Sequence, residues 1–567
     1  LADIPFRWGR SSPLRTLAAG LLAIAAFLEL LAWAKFPFGG YDSFSHIYWI
    51  AEWHRLWACG IPYPRWLPDS FHGFGAPSFY YYPPFPFFLS SLLYTVLPSF
   101  TAADIGKLLG LFAFLFSFFS MRSYLGWRAN TMHAPMKSSI VTAAALLYTF
   151  GPYRIFNYAT RGALPEHLAF GFVPLAFWGI DLLVQDKKRS GFLLLIVSLS
   201  FLILTNLPAT AVAGIGMFLY VVFQQGQQRV NGLKGLFIAA VAAVLLTSFY
   251  LLPVGEMFGL VQMGRLWRVV PLVQSTPFLA IFTGEALTIN SYSFIMLVGA
   301  MALFLAWLRS GNRSRPFFWI LAVLIAAQLP VVTQYLYRFV PPFTIVQLAS
   351  RFSILLLLVA ALAWQDEFVK DRKHVPIVSW VVVFWSLCTI GLVSLQLADV
   401  HVHKHGPLPV GEAPEYATKW ARQYEVWGDA LAVPFKNDSQ TVACEGATVM
   451  ASKRTPYSDT IDLIATKPTT ALLRRAYWPQ WTAQIDGEAT PVSPDTLGRI
   501  VTPVPTGEHR LTLKLDDATS AVLGDWISSI SFVLIGLGSF FIPKSKNRPD
   551  HPRTIGAIYP RDPGSPQ

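Results

Sequence analysis

Residues 39–86 read GGYDSFSHIYWIAEWHRLWACGIPYPRWLPDSFHGFGAPSFYYYPPFP, directly after the first membrane-length apolar segment at 14–36. The stretch is too rich in Pro and aromatic rings to span a bilayer, yet too apolar for an ordinary solvated loop. It carries Asp42, His46, Arg65, Asp69 and His72 among ten Trp and Tyr side chains. Titratable groups embedded in interfacial aromatics point to a site at a membrane surface, where a lipid-borne substrate would meet acid–base chemistry.

Working outward, long apolar runs recur. The chain has 567 residues, of which 54% are hydrophobic and 13% charged, a balance that excludes a soluble globule. Each run approaches the roughly 20 residues that cross a bilayer core of about 30 Å. The pattern predicts about twelve spans, near 14–36, 103–124, 138–157, 164–184, 190–206, 208–225, 233–253, 291–309, 316–337, 343–365, 376–397 and 521–542. The first is too long, and lacks the small-residue cleavage site, to be a removable signal peptide.

Basic residues set the orientation. Clusters at Arg7–Arg15, Arg122–Lys137, Lys187–Arg189, Arg229–Lys234, Arg309–Arg315, Lys370–Lys373 and Lys544–Arg548 share one side if 83–97 is re-entrant or interfacial rather than spanning. Both termini are then cytoplasmic. The Asp42 loop, the RGALPEH segment at 161–167, the Asn206–Pro208 turn and the loops at 254–290 and 335–342 all face outward. The +12 net charge is accounted for by these cytoplasmic loops, with no basic face suited to nucleic acid. Three cysteines, Cys59, Cys388 and Cys444, exclude a disulfide framework and a Cys-rich zinc site. One bridge, Cys59 to Cys444, stays topologically open.

From Thr448 the texture changes to short β-rich runs between turn signals: TVMASK, TIDLIAT, ALLRRAYW, WTAQIDG, GRIVTPVP, HRLTLKL. That spacing predicts a small antiparallel sandwich, with Gly487 and Gly507 at hairpin turns. The expected fold class is a polytopic all-α membrane protein with a C-terminal extracytoplasmic β-sandwich-like domain and a final membrane helix. The expected division is a membrane domain at 1–399 with a large outer loop at 37–102, an outer β-rich domain at 400–520, a last span at 521–543 and a disordered cytoplasmic tail at 544–567.

Asp42 opens a predicted interfacial helix on which His46, Trp49 and Trp53 share its face. A carboxylate on a dry aromatic face can serve as a general base; equally, Asp42 can be an N-cap and the Trp residues an interfacial belt. Arg351 is expected about two turns, roughly 12 Å, inside its span. A guanidinium there requires an anion, either a structural partner such as Glu29 or a lipid phosphate. Arg161, Glu166 and His167 sit at the mouth of the fourth span. Arg161 either pairs with Glu166 or binds phosphate, leaving Glu166 to position a hydroxyl or a metal. Arg268 and Arg338, in outer loops, are further phosphate candidates or surface anchors. Trp49, Arg65, Asp69, Tyr81 and Tyr82, with Trp478 and Trp481 of the β-rich part, are candidate sugar or acceptor contacts, the last two being equally suited to a domain core. No P-loop, G-x-G-x-x-G, HExxH or G-x-S-x-G motif is present, so an activated donor would have to arrive on a lipid.

GYDSFSHIYWIAEW, PRWLPDSFHGFGAPSFYYYPPFP, RGALPEHLAF and VQLASRF together resemble the bacterial membrane family labelled "6-pyruvoyl-tetrahydropterin synthase-related". A long first outer loop with a carboxylate just after the first span also resembles the GT-C superfamily of membrane glycosyltransferases. The late YWPQWTAQIDG and TGEHRLTLKL stretches are similar to the outer β-domain of lipoteichoic-acid-glycosylating membrane proteins. The pterin label does not extend to chemistry, since neither a zinc-binding His cluster nor a soluble α+β core is visible.

The GT-C resemblance implies a GT-C-like membrane domain in the bacterial cytoplasmic membrane. It implies transfer from a polyprenyl-phosphate sugar to a cell-envelope glycan or lipid acceptor on the outer face, among membrane lipids. Carried over, Asp42 would be the base, and Arg351 and Arg161 would hold donor phosphate; His46 and Glu166 are further catalytic candidates from the reading of the residues. Asp42 is followed by Ser43 rather than a second acid, which leaves any divalent cation open, and Asn206 stands where a His would be expected. Two other classes compete: a lipid-linked glycan transporter or flippase, which needs polar groups near mid-membrane on paired half-helices, and a non-enzymatic assembly protein, which needs no cavity joining Asp42 to Arg351.

Overall fold

The computed structural model describes residues 41–131, 138–184, 188–262, 316–327, 349–370, 413–421 and 440–541, with scattered positions between 299 and 346 and at 435. The expected spans at 14–36 and 376–397, and most of 291–309, lie outside the described residues, as do Glu29, Arg268 and Arg338.

Helix α1, Tyr41–Ala58, has Asp42 in its first turn and Arg55 in its last, both matched to the helix dipole. His46, Trp49, Trp53 and Leu56 form its buried stripe, and Gly60 at φ +83° ends it. Helix α2, Phe85–Val96, is about 18 Å long, too short to cross a bilayer core. It packs on α1 and on α3, Ala102–Thr131.

Four described helices are long and apolar enough to cross a membrane: α3, the run Leu164–Val184, α9 (Gly226–Leu246) and Thr519–Gly538 within α13 (Thr519–Phe541). The run Leu164–Val184 is α5 (Leu164–Ala169) followed by α6 (Phe172–Val184). Shorter helices α4 (Ser138–Thr149), α7 (Lys188–Thr205), α8 (Leu207–Val222), α10 (Ser248–Met257), α11 (Pro316–Ala327) and α12 (Ser353–Lys370) complete the helical part. Helix α12 is buried on every side from Ile354 to Ala363, as an all-apolar helix at the centre of a bundle must be.

Several expected spans are broken. The span at 138–157 stops at Thr149, and Pro152, which cannot donate to the preceding turn, opens a separate turn, Pro152–Phe156. A π-helical turn, Asn157–Arg161, follows. The span at 343–365 is interrupted by a 3₁₀ turn, Ala349–Phe352. Arg351 therefore lies at the mouth of α12 and not two turns inside a continuous helix.

The expected span at 233–253 breaks at Thr247, between α9 and α10. The break leaves the Phe249 N–H without a helical acceptor, and it donates to Ser528 Oγ of α13 at 2.9 Å. Ser528 in turn donates to Leu245 O at 3.3 Å. Gly524 permits this approach, because a Cβ there would lie 2.4 Å from Ser248 O. Gly524→Leu is expected to push α13 off α10 and to destabilise the protein by about 1–3 kcal/mol. Thermal unfolding in detergent checks this, and an unchanged midpoint would refute the close packing.

The C-terminal part forms β1 (Val442–Cys444), β2 (Ala447–Arg454), β3 (Ser458–Ala465), β4 (Thr469–Ala476), β5 (Trp481–Ile485), β6 (Glu488–Thr490), β7 (Ser493–Pro494), β8 (Arg499–Val504) and β9 (Gly507–Leu515). They make two antiparallel sheets in the orders β1-β4-β8-β7 and β2-β3-β9-β5-β6. Alternate residues of β3 are buried, the period-2 signature of a strand with one wet face. Leu463, Leu511 and Leu513 of one sheet join Leu473, Ile500 and Val504 of the other in one apolar cluster. Gly487, at φ +91°, makes the expected β5–β6 hairpin. Gly507 does not; it opens β9 once the chain has crossed from one sheet to the other.

This β region rests on the loop between α1 and α2. Ala476 N–H donates to Phe74 O at 2.7 Å, Tyr457 to Trp66 O at 3.2 Å, and Arg474 to His72 O. Trp478 and Trp481 are buried against Trp66. They are core rings and not the exposed sugar platforms that the sequence left open. Cys59 and Cys444 are both free thiols, so the bridge between them is not formed.

Candidate functional site

The site forms where α1, the π turn, α5 and the 3₁₀ turn before α12 meet. The π turn inserts an extra residue per turn, a device common beside functional groups, and Gly162 at φ +72° reverses the chain after it. This reversal sets Glu166 in the first turn of α5, where the helix dipole favours a carboxylate.

Glu166 is fully buried and takes three partners. Arg161 Nη1 and Arg351 Nε both reach its Oε2 at 3.0 Å, and Tyr153 donates to Oε1 at 2.5 Å. Arg351 also donates to Val346 O at 2.7 Å. Arg161 is shared: Nη1 also reaches Asn157 Oδ1 at 3.3 Å, while Nη2 forms an ion pair with Asp42 Oδ2 at 2.9 Å. The result is one chain, Asp42–Arg161–Glu166–Arg351, with two formal charges of each sign. Exposure falls along it: 36% for the Asp42 side chain and 20% for Arg161, but 1% for Glu166 and 4% for Arg351. The Asp42 end is therefore the wet end. Burial alone would lower the pKa of Arg161, but the Asp42 and Glu166 carboxylates reverse this and leave it raised.

His46 lies one turn beyond Asp42. Its Nδ1 is 3.0 Å from Gly162 O, which can only accept, so Nδ1 carries the proton. Its Nε2 then accepts from the Tyr82 hydroxyl at 2.7 Å. Burial pulls the His46 pKa down to about 4, against the opposing pull of Asp42. With both nitrogens used and the ring neutral, His46 braces α1 against Gly162 and is not placed as the proton carrier that the sequence reading allowed.

The other sequence candidates divide cleanly. Trp49 is buried, packing on Tyr82 and on His46 as the wall behind the site. Tyr82 is spent on His46. Tyr81 is buried and donates to Met257 O, and so serves packing instead of sugar binding. Arg65 pairs with Asp525 of α13 at 3.2 Å and donates to Phe249 O. Asp69 pairs with Arg55 at 2.7 Å. Both hold the loop between α1 and α2, and neither joins the site. Asn206 caps α8 through Ala209 N–H at 2.8 Å.

Two groups were missed. Tyr153, in an unremarkable GPYR stretch, supplies a third bond to Glu166. Glu415, in the 3₁₀ turn Pro414–Tyr416, is partly buried within electrostatic reach of Asp42 and Tyr82. Burial, with Asp42 adding to it, raises the Glu415 pKa. Its neighbour Tyr416 packs on Trp49 and Tyr82 at 5.5 and 5.9 Å between ring centres. The segment is pinned to the helical part by Gln262 N–H to Ala417 O, Lys419 N–H to Leu260 O, and Gln262 Nε2 to Ala421 O. No sequence periodicity announces an isolated acid in a segment of this kind. Among the described residues, no three His, Cys, Asp or Glu side chains gather closely enough to hold a metal ion.

Two solved structures are similar to this chain at 14% identity, both cryo-EM structures of the arabinofuranosyltransferase AftD from Mycobacteria, one of them of a mutant. Their TM-scores are 0.41 and 0.42; the matches cover 69% and 66% of this chain and 27% of AftD. The chain thus spans about a quarter of the length of that protein. No curated protein matches. A family model described as a 6-pyruvoyl-tetrahydropterin synthase related domain, membrane protein, matches residues 79–396, more than half of the chain. That match takes in α2 through α12 with Arg161, Glu166 and Arg351, and the chain belongs to this family of membrane proteins.

Proposed function

We propose that the protein is a GT-C-type membrane glycosyltransferase acting at the outer face of a bacterial cytoplasmic membrane. Its donor is a sugar carried on a polyprenyl phosphate, and its acceptor a cell-envelope glycan or lipid. The observation that carries this reading is the placement of a half-exposed carboxylate 2.9 Å from a guanidinium that is itself fixed by a buried Glu–Arg pair. A planar fork suits phosphate oxygens, and a carboxylate beside it suits removal of a proton from an attacking hydroxyl.

In the step proposed, the acceptor oxygen forms a bond to the anomeric carbon while the bond from that carbon to the phosphate oxygen breaks. The hydroxyl proton passes to Asp42, and the electron pair leaves with the phosphate, whose charge Arg161 stabilises. Arg351 reaches Glu166 and is deeply buried, so its role is to hold Glu166 and, through it, Arg161. Mass spectrometry of extractable envelope glycans and lipids from cells with and without the gene tests the reading. A missing hexose- or pentose-sized increment is expected, and identical profiles would sink it.

A further inference from the structure

Arg161 has an inner and an outer side. Its Nη1 is committed to Asn157 and to fully buried Glu166, whose position Arg351 and Tyr153 secure. Its Nη2 meets Asp42, the most exposed member of the ion-pair chain. The guanidinium is thus preset on one side, while the carboxylate on the other side sits at the N-terminal turn of α1. Asp42 is the more exposed member of that pair, at 36% against 20% for Arg161. A phosphate oxygen can occupy the same position on the same nitrogen, at the same charge-assisted distance, without any movement of Arg161.

We infer that Asp42 is a stand-in for the ligand: it holds the anion position of Arg161 and is displaced by a phosphate monoester or diester group. The inference rests on the transferase reading and adds to it an exchange of anions at Arg161: the phosphate takes Nη2, and the Asp42 carboxylate is left free for the acceptor hydroxyl.

The test uses the full chain in phosphatidylcholine nanodiscs, with a long-chain polyprenyl monophosphate as probe and its Kd read by native mass spectrometry. Removing a competing internal anion should tighten binding, so Asp42→Asn is expected to lower Kd by about twofold to fivefold. Arg161→Gln should raise Kd by about tenfold or more. Should that variant unfold, Arg161→Lys, which keeps the charge and loses the fork, decides the point by an intermediate loss. Unchanged or weaker binding by Asp42→Asn overturns the inference. Inorganic phosphate is titrated against the bound probe: competition assigns the site to phosphate itself, and its absence to a lipid-anchored ester. Tighter binding by Asp42→Asn, together with unaltered envelope glycans in cells that lack the gene, would uphold the exchange while removing the transferase reading. Lost glycan without tighter binding would uphold transfer and overturn the exchange.

Discussion

On the proposed transferase reading, Asp42→Asn is expected to leave the protein folded and to lower sugar transfer by about 10²- to 10⁴-fold, the usual worth of a general base. The folded state tolerates the change because Asp42 is the most exposed member of the ion-pair chain and Arg161 keeps its second carboxylate, Glu166. The amide keeps the shape and can still occupy the first turn of α1, but it cannot take up a proton. A transfer assay on membranes, run beside a melting curve in detergent, checks both halves of the expectation. Full transfer by Asp42→Asn would remove this residue from the chemistry. A melting midpoint lowered by more than a few degrees would instead assign it a structural role.

Glu166→Ala has the opposite profile. It strips the shared partner from Arg161 and Arg351, leaving Arg351, only 4% exposed, without its described carboxylate. Breaking a buried pair by removing one member costs about 3–5 kcal/mol, because the remaining charge stays desolvated. Tyr153 also loses its acceptor. The expected result is a protein that fails to accumulate, or that unfolds at a much lower temperature, with activity lost as a consequence. Glu166→Gln should recover part of the packing and none of the charge balance. Wild-type stability in Glu166→Ala, measured by thermal or denaturant unfolding, would show that the two arginines find other anions. Placed side by side, the two substitutions separate the residue that performs a step from the residue that holds the machinery.

Part of this was legible in the order of residues. The face of α1 bearing Asp42, His46 and Trp49 follows from spacing alone, because 3.6 residues per turn align those positions whatever surrounds them. The period-2 alternation of β3 has the same origin. RGALPEH and VQLASRF announced the family, and the match over 79–396, which contains both, agrees. The helix breaks at Gly151–Pro152 and Thr247 were less legible, since apolar composition continues through them and only backbone geometry shows the interruption.

What the sequence determined by itself is therefore local or compositional: apolar runs of membrane length, amphipathic faces, strand alternation, and the residue types available to a site. What the tertiary structure decided is partnership. Arg351 meets Glu166, 185 residues away, and Arg161 divides itself between Glu166 and Asp42. Trp478 and Trp481 turn inward onto Trp66, and Glu415 enters beside Asp42 from a different part of the chain. A charge has no periodicity, and its cheapest partner is the nearest opposite charge in space, a distance set by how helices and sheets pack against one another.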